Sequence, residues 1–86
     1  PGEVEDCLYE IPEISECAVV GHSDSLRGQA VWAYIVMKDG CPFDEDSIRH
    51  HLLKNLAAYK VPRRFIPMDE LPKNSTGKIL KRALRK

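Results

Sequence analysis

The stretch GQAVWAYIVMKDG, residues 28 to 40, carries the strongest strand signal in this 86-residue chain. From Val31 to Met37 every residue is apolar or aromatic, and β-branched and aromatic side chains predominate, as is typical of a strand buried in a sheet. Lys38, Asp39 and Gly40 then supply the polar and glycine residues of a turn. A β-sheet is therefore expected at the centre of the fold.

Two weaker strand signals flank this one. ISECAVVGHSD, residues 14 to 24, predicts a short apolar strand around Ala18 to Val20 that Gly21 is expected to end. About ten residues would then separate it from the long strand, enough for an exposed antiparallel connection. VPRRFIPMDEL, residues 61 to 71, predicts a short strand at the edge of the sheet, because Pro62 and Pro67 cannot donate to a central ladder.

Apolar residues recur at helical spacing in three segments. The first helix is expected to stop at Pro12, and its stripe consists of Val4, Cys7, Leu8 and Ile11. The second follows Asp44, the predicted N-cap, and Phe43 stands at hydrophobic-staple spacing from Ile48. Its predicted buried stripe consists of Ile48, Leu52, Leu53 and Leu56. The third is predicted to begin at about Lys78, with a stripe of Ile79, Leu80, Ala83 and Leu84.

The order αββαβα predicts an α+β domain, a small mixed three-stranded sheet flanked by helices. Hydrophobic residues make up 43% and charged residues 30% of the chain, a composition typical of a folded soluble domain. No apolar run approaches the ~20 residues that cross a bilayer. Repeats and low-complexity segments are absent from the sequence.

The cysteines and histidines do not indicate a metal site. Three cysteines without CxxC spacing predict neither a disulfide framework nor a zinc site, and Cys7 and Cys17 are interpreted as small core residues. His50 and His51 are adjacent in a helix and point to different faces, so they cannot share a metal ion. Reduced cysteines favour a cytoplasmic location, while peripheral membrane association and an organelle matrix stay compatible with the sequence.

Charge is distributed unevenly along a chain whose formal net charge is zero. Residues 1 to 16 contain six acids and no base, whereas residues 60 to 86 contain nine bases and two acids. Two interpretations stay open. The two ends lie together and neutralise each other, or the basic end faces an anionic ligand.

The segment PKNSTGKILKR, residues 72 to 82, concentrates the basic charge around Gly77 and Lys78. It is not a Walker A loop, because Pro72 and Ile79 stand where that motif requires glycine and serine or threonine. The remaining prediction is a flexible polar turn that presents Lys78 at the start of a helix, where free N–H groups assist anion binding. By spacing alone, an anion-binding lysine and a solvated surface lysine both stay open.

Several segments, in order, resemble the C-terminal domain of adenylate-forming enzymes, the superfamily of acyl- and aryl-CoA synthetases, peptide-synthetase adenylation domains and luciferases. PGEVE, residues 1 to 5, is similar to the motif that opens this domain, and LAAYKVP, residues 56 to 62, is similar to its L-x-x-Y-x-V-P segment. LPKNSTGKILKR, residues 71 to 82, resembles its terminal lysine loop. AVVGHSD and GQAVWAYIV fit its strand pair, so the resemblance spans essentially the whole chain.

The resemblance implies a C-terminal lid domain over residues 1–86, with a larger N-terminal domain outside the chain. That domain would hold ATP, the carboxylic acid and Mg²⁺, and the reaction would give acyl-adenylate and pyrophosphate before thioester formation with CoA. Lys78 matches the adenylation lysine of the family and would bridge carboxylate and phosphate oxygens. Gly77 and Thr76 would position its loop. No cofactor is expected to bind tightly to the 86 residues alone, which we expect to be inactive.

The tail TGKILKR is closer to acyl- and aryl-CoA synthetases than to peptide-synthetase domains. The resemblance further implies that Lys78 is a target for a lysine acetyltransferase and deacetylase. The other function that the residues leave open is a stand-alone module that uses its basic end to bind nucleic acid or protein. The acid that is activated and the oligomeric state are not encoded in any motif of this chain.

Overall fold

The computed structural model describes residues 2–24 and 28–84, without the side chains of residues 22–24, 28–30 and 82. The elements follow the predicted order αββαβα, with a short 3₁₀ helix in addition. They are α1 (Gly2–Tyr9), β1 (Ile14–Asp24), β2 (Gly28–Met37), α2 (Glu45–Asn55), the 3₁₀ helix (Ala58–Lys60), β3 (Arg64–Pro67) and α3 (Lys81–Leu84). The predicted α+β class is confirmed.

The three strands form one mixed sheet in the order β1-β2-β3. β1 and β2 are antiparallel, and β3 runs parallel to β2, with Trp32 opposite Arg64 and Ile35 opposite Pro67. β3 lies at the edge, as Pro62 before it and Pro67 at its end predict. Lys38 to Gly40 form the predicted turn, in which Gly40 has a φ of 80° and the Cys41 amide donates to the Lys38 carbonyl at 3.0 Å.

The prediction that Gly21 ends the first strand is wrong. Gly21 pairs with Val31, and the ladder continues until Asp24 pairs with Gly28, so the predicted long connection is wrong as well. Glycine keeps both backbone hydrogen-bonding groups, and a ladder can therefore run through it. The apolar run marked only the part of β1 that the core covers.

The sheet separates two hydrophobic clusters, because alternate residues of a strand point to opposite faces. One face packs against α1 and α2 and buries, among others, Leu8, Val19, Ile35, Leu52 and Phe65. The other face packs against the C-terminal segment and buries Ala18, Val20, Tyr34, Val36, Leu71 and Leu84. The C-terminal segment therefore lies across the sheet from α2.

Helix α2 begins at its predicted cap. The Asp44 side chain accepts a hydrogen bond of 3.2 Å from the Ser47 amide, and Phe43 packs against the same cluster as Ile48. Leu52 is fully buried, but Leu53 is 48% exposed, so its assignment to the buried stripe is wrong. One residue step turns a helix by about 100°, which carries Leu53 away from the sheet.

Helix α1 ends at Tyr9, before Pro12 as predicted, and it covers the free edge of β1. The Cys17 amide donates to the Tyr9 hydroxyl at 3.2 Å, and the Val19 amide donates to Glu5 Oε2 at 2.8 Å. These amides have no partner strand, so α1 satisfies donors that an edge strand otherwise exposes. Within residues 2–24 and 28–84, no helix is long and apolar enough to cross a membrane.

Candidate functional site

The segment that carries Lys78 is a small hydrogen-bonded hairpin, residues 72–80, which we call the lysine arm. Its limbs are joined by an antiparallel bridge between Lys73 and Ile79. The Leu80 amide donates to the Pro72 carbonyl at 2.8 Å, and the Asn74 amide donates to the Lys78 carbonyl at 2.9 Å. The backbone of the arm is therefore fixed from its base to Lys78.

The Asn74 side chain organises the turn at the tip of the arm. Its Oδ1 accepts hydrogen bonds from the Thr76 amide at 3.0 Å, the Thr76 hydroxyl at 2.7 Å and the Lys78 amide at 2.9 Å. Gly77 completes the turn with a φ of 86°. We predicted positioning roles for Thr76 and Gly77 but missed Asn74, although asparagine commonly bonds to backbone amides just after it.

The predicted start of the third helix at about Lys78 is wrong, since α3 begins at Lys81 and has four residues. The Lys78 amide is engaged by Asn74, and the positive φ of Gly77 is incompatible with a right-handed helix. Lys78 therefore lies on the second limb of a hairpin. The predicted anion site at a helix N-terminus is not formed.

The acidic and basic ends of the chain lie together. Three lysines of the basic end form ion pairs with acids of the first sixteen residues, as one of the two interpretations of the charge distribution predicts. The pairs are Lys60–Glu3 at 2.7 Å, Lys73–Glu16 at 2.7 Å and Lys81–Glu5 at 2.8 Å. Three of the nine basic residues of this end are thus paired with acids of the same domain.

Lys78 differs from these three lysines. Its side chain is exposed, and its ammonium has no hydrogen-bond or ion-pair partner in the described part of the chain. It borders an open groove of about 820 Å³ that is lined by Asn74, Lys78, Ile79, Leu80, Lys81 and Ala83. Two lysines stand among the described residues of this lining; Lys81 is paired with Glu5, so the ammonium of Lys78 is the charge that the groove offers to an anionic oxygen.

Replacing Gly77 by alanine is expected to strain the turn without a steric clash. A Cβ atom on Gly77 would meet no atom within 4 Å, but its φ of 86° is unfavourable for alanine by about 1 to 2 kcal/mol. We expect a lower urea midpoint for the 86-residue Gly77→Ala chain. Gly2→Ala, at a position that is equally open but has no positive φ, is the matched control. Equal midpoints for Gly77→Ala and the unmodified chain would contradict the expectation.

The buried cysteines behave as core residues, as predicted. Cys7 and Cys17 are 5% and 2% exposed. Burial raises the pKa of the Cys17 thiol to about 11, and burial together with the Glu10 and Glu3 carboxylates raises the pKa of Cys7. Both thiols are therefore protonated and unreactive near neutral pH.

His51 joins α1 to α2 in a contact that the sequence did not reveal. Its Nε2 lies 3.2 Å from both the Cys7 carbonyl and Glu10 Oε1. The atoms of Cys7, Glu10 and His51 that could bind a metal ion lie within 4.8 Å of one another, although the spacing of these residues in the sequence matches no metal motif. The three residues lie close together because His51 Nε2 hydrogen-bonds to the Cys7 carbonyl and to Glu10, which is a contact between the two helices.

The YKVP segment forms a tight turn around the 3₁₀ helix Ala58–Lys60. Tyr59 is 83% exposed, and the Lys60 ammonium lies 5.9 Å from the centre of its ring. A large aromatic side chain at this exposure is not part of the core. We predicted that this turn borders another domain, and the described residues leave Tyr59 open to such a contact.

The fold and the lysine arm define a class of protein. The family model for the AMP-binding enzyme C-terminal domain matches residues 3–78, and the chain belongs to this family. The resemblance inferred from PGEVE, LAAYKVP and the lysine segment is thereby confirmed. The match includes Lys78.

The relatives of this chain include CoA ligases. The chain is 44% identical to the long-chain-fatty-acid–CoA ligase of Bacillus subtilis over 98% of its length, and 48% identical to 4-hydroxybutyrate–CoA ligase 1 of Metallosphaera sedula over its whole length. It spans 15% and 16% of these two proteins. The ATP-bound structure of MatB from Rhodopseudomonas palustris superposes with a TM-score of 0.93 at 35% identity, covering 99% of this chain and 17% of MatB.

Proposed function

We propose that these residues are the C-terminal domain of an ATP-dependent acyl-CoA synthetase and that Lys78 is its adenylation lysine. A larger N-terminal domain would hold ATP, the carboxylic acid and Mg²⁺. A carboxylate oxygen attacks the α-phosphorus, and the bond to pyrophosphate breaks. The thiol of CoA then attacks the acyl carbon, and AMP leaves. Family membership and the CoA-ligase relatives support this proposal.

The observation that carries the assignment of Lys78 is its unpaired ammonium. Lys73 and Lys81, on either side of it, are held by acids of the same domain, whereas Lys78 projects from a fixed turn beside an open groove. An exposed lysine has a mobile point charge on a long stem, suited to contact two oxygens in turn. An anion from outside the chain can therefore bind here without displacing an internal partner.

The expected contribution of Lys78 is electrostatic. During adenylation, negative charge shifts from the attacking carboxylate to the phosphate and pyrophosphate oxygens. An ammonium placed between these oxygens stabilises that charge most when neighbouring domains exclude water. The fixed backbone of the lysine arm limits the positions that the ammonium can reach, which reduces the reorganisation needed when the domains close.

The activity class is tested by pyrophosphate exchange in the full-length protein. We expect exchange of labelled pyrophosphate into ATP that depends on a carboxylic acid, followed by thioester formation when CoA is added. The substrate panel follows the names of the relatives, which include ligases for long-chain fatty acids, 4-hydroxybutyrate and acetate. Absence of acid-dependent exchange across short, long and aromatic acids would contradict the proposal.

Lys78 is also proposed as an acetylation site. Its side chain is exposed and unpaired among the described residues, so a modifying enzyme can reach its ammonium without breaking an ion pair of the domain. Acetylation removes the positive charge. It would therefore stop adenylation and spare thioester formation from preformed acyl-adenylate.

A further inference from the structure

We propose that Glu5 and Glu16 are positioning residues that hold the two limbs of the lysine arm and thereby set the place of the Lys78 ammonium. Glu16 pairs with Lys73 on the first limb, and Glu5 pairs with Lys81 just beyond the second. We call these two ion pairs the arm clamps. The inference rests on the proposed function of Lys78, and it adds two acids that no motif of the lysine segment contains.

The Glu5 side chain is fixed by a hydrogen bond to the body of the domain, independently of its ion pair with Lys81. Its Oε2 accepts a hydrogen bond of 2.8 Å from the Val19 amide at the edge of β1 and forms an ion pair with Lys81 Nζ at 2.8 Å. Its side chain is 21% exposed. A carboxylate that is fixed by a backbone donor loses little further freedom on pairing with a lysine, so this pair is expected to be stronger than a fully exposed one.

Glu16 forms the corresponding ion pair with Lys73 on the first limb. It lies on β1 opposite Val36, and its Oε1 is 2.7 Å from Lys73 Nζ. Its side chain is 26% exposed. Lys73 is in turn bridged through the backbone to Ile79, next to Lys78. The clamp on Lys73 therefore restricts the limb that carries Lys78 as well.

Apolar contacts fix the base of the arm and one residue of its second limb, Ile79, which packs against the same cluster. Leu71 and Leu84 are buried at the two ends of the segment, and the Tyr34 hydroxyl donates to the Leu84 carbonyl at 3.0 Å. The lysine arm itself projects from this base with exposed residues from Lys73 to Lys78. Besides Ile79, the Lys73–Glu16 clamp ties the arm to the body of the domain, and the Lys81–Glu5 clamp holds the residue that follows the arm. Together the two clamps oppose tilting of the arm towards or away from β1.

The test measures the two half-reactions separately in the full-length enzyme. Glu5→Gln keeps an acceptor for the Val19 amide but removes the charge that attracts Lys81, and Glu16→Gln likewise neutralises the second clamp. We expect each variant to slow acid-dependent pyrophosphate exchange roughly threefold and the double variant roughly tenfold. Thioester formation from preformed acyl-adenylate should be unchanged, because the proposed function gives Lys78 a role in the adenylation step alone.

The matched control is Glu3→Gln. It removes a third ion pair of similar length, 2.7 Å, to Lys60, which lies outside the lysine arm. We expect both half-reactions to retain their rates in this variant. A loss of exchange in Glu3→Gln as large as that in Glu5→Gln would show that any removed ion pair has the effect, and it would overturn the proposal.

Substitutions of Lys81 separate positioning from stability. Lys81→Arg keeps the charge and should retain exchange, whereas Lys81→Met keeps the stem, loses the charge and should match Glu5→Gln. If Glu5→Gln and Lys81→Met slowed both half-reactions equally, the losses would indicate damage to the fold and overturn the inference. Lys78→Ala, assayed in parallel, tests the proposed function itself. If pyrophosphate exchange survives in Lys78→Ala, the proposed function of Lys78 is wrong. If Lys78→Ala alone loses exchange, the positioning role proposed for Glu5 and Glu16 is wrong.

Discussion

Replacing Lys78 by alanine in the full-length enzyme is expected to slow acyl-adenylate formation by about 10²- to 10³-fold, the usual cost of removing one preorganised group that stabilises developing negative charge. The Lys78 amide and carbonyl are both bonded to Asn74, so the substitution removes the ammonium and leaves the turn in place. Pyrophosphate exchange measures this step. Thioester formation from preformed acyl-adenylate and CoA should proceed at the unmodified rate.

The control for Lys78→Ala is Lys54→Ala. Lys54 is exposed in the last turn of α2, on the opposite side of the sheet from the lysine arm. Its removal changes the net charge equally and should leave both half-reactions unchanged. Lys78→Gln, which resembles acetyl-lysine, should reproduce the loss in Lys78→Ala. Unchanged exchange in Lys78→Ala would contradict the catalytic assignment.

The sequence predicted the sheet because its signals are local. The apolar run from Val31 to Met37 and the turn at Gly40 lie where β2 and its end are found. Pro67 indicated an edge strand because proline has no backbone N–H to donate, and this holds whatever its neighbours are. The Asp44 cap depends on residues three positions apart, and it too was predicted.

Predictions failed where strand pairing or side-chain hydrogen bonds, rather than residue periodicity, decide the structure. The extent of β1 beyond Gly21 depends on pairing with β2. The helical spacing after Gly77 suggested a helix, but three hydrogen bonds to Asn74 hold residues up to Lys78 in a turn. The tail carried enough apolar residues to favour either structure, and the asparagine side chain decided between them.

The candidate site was predicted in part. Lys78, Gly77 and Thr76 were identified from their resemblance to a family motif. Contact between the two ends was one of two interpretations of the charge distribution, but a single sequence does not say which acid pairs with which base. Glu5 and Glu16 became visible only when the fold placed α1 and β1 beside the arm.

Replacing Leu52 by alanine is expected to destabilise the 86-residue chain by about 2 to 5 kcal/mol, whereas the same change at Leu53 should alter its stability by less than about 0.5 kcal/mol. The two leucines are neighbours on α2, but Leu52 is fully buried and Leu53 is 48% exposed. Removing the Leu52 side chain leaves a cavity between α2 and the sheet, while removing that of Leu53 leaves only solvent-exposed surface.

Urea denaturation followed by circular dichroism compares the two leucine variants directly. A domain of this size has a free energy of unfolding of only about 5 to 10 kcal/mol, so Leu52→Ala should lower the urea midpoint steeply or unfold the chain. Leu53→Ala shares the host helix, the removed atoms and the change in helix propensity, so it isolates burial as the cause. Similar midpoints for the two variants would mean that α2 does not pack on the sheet through Leu52. In that case, packing of Leu52 would not stabilise the face of the sheet that lies opposite the lysine arm.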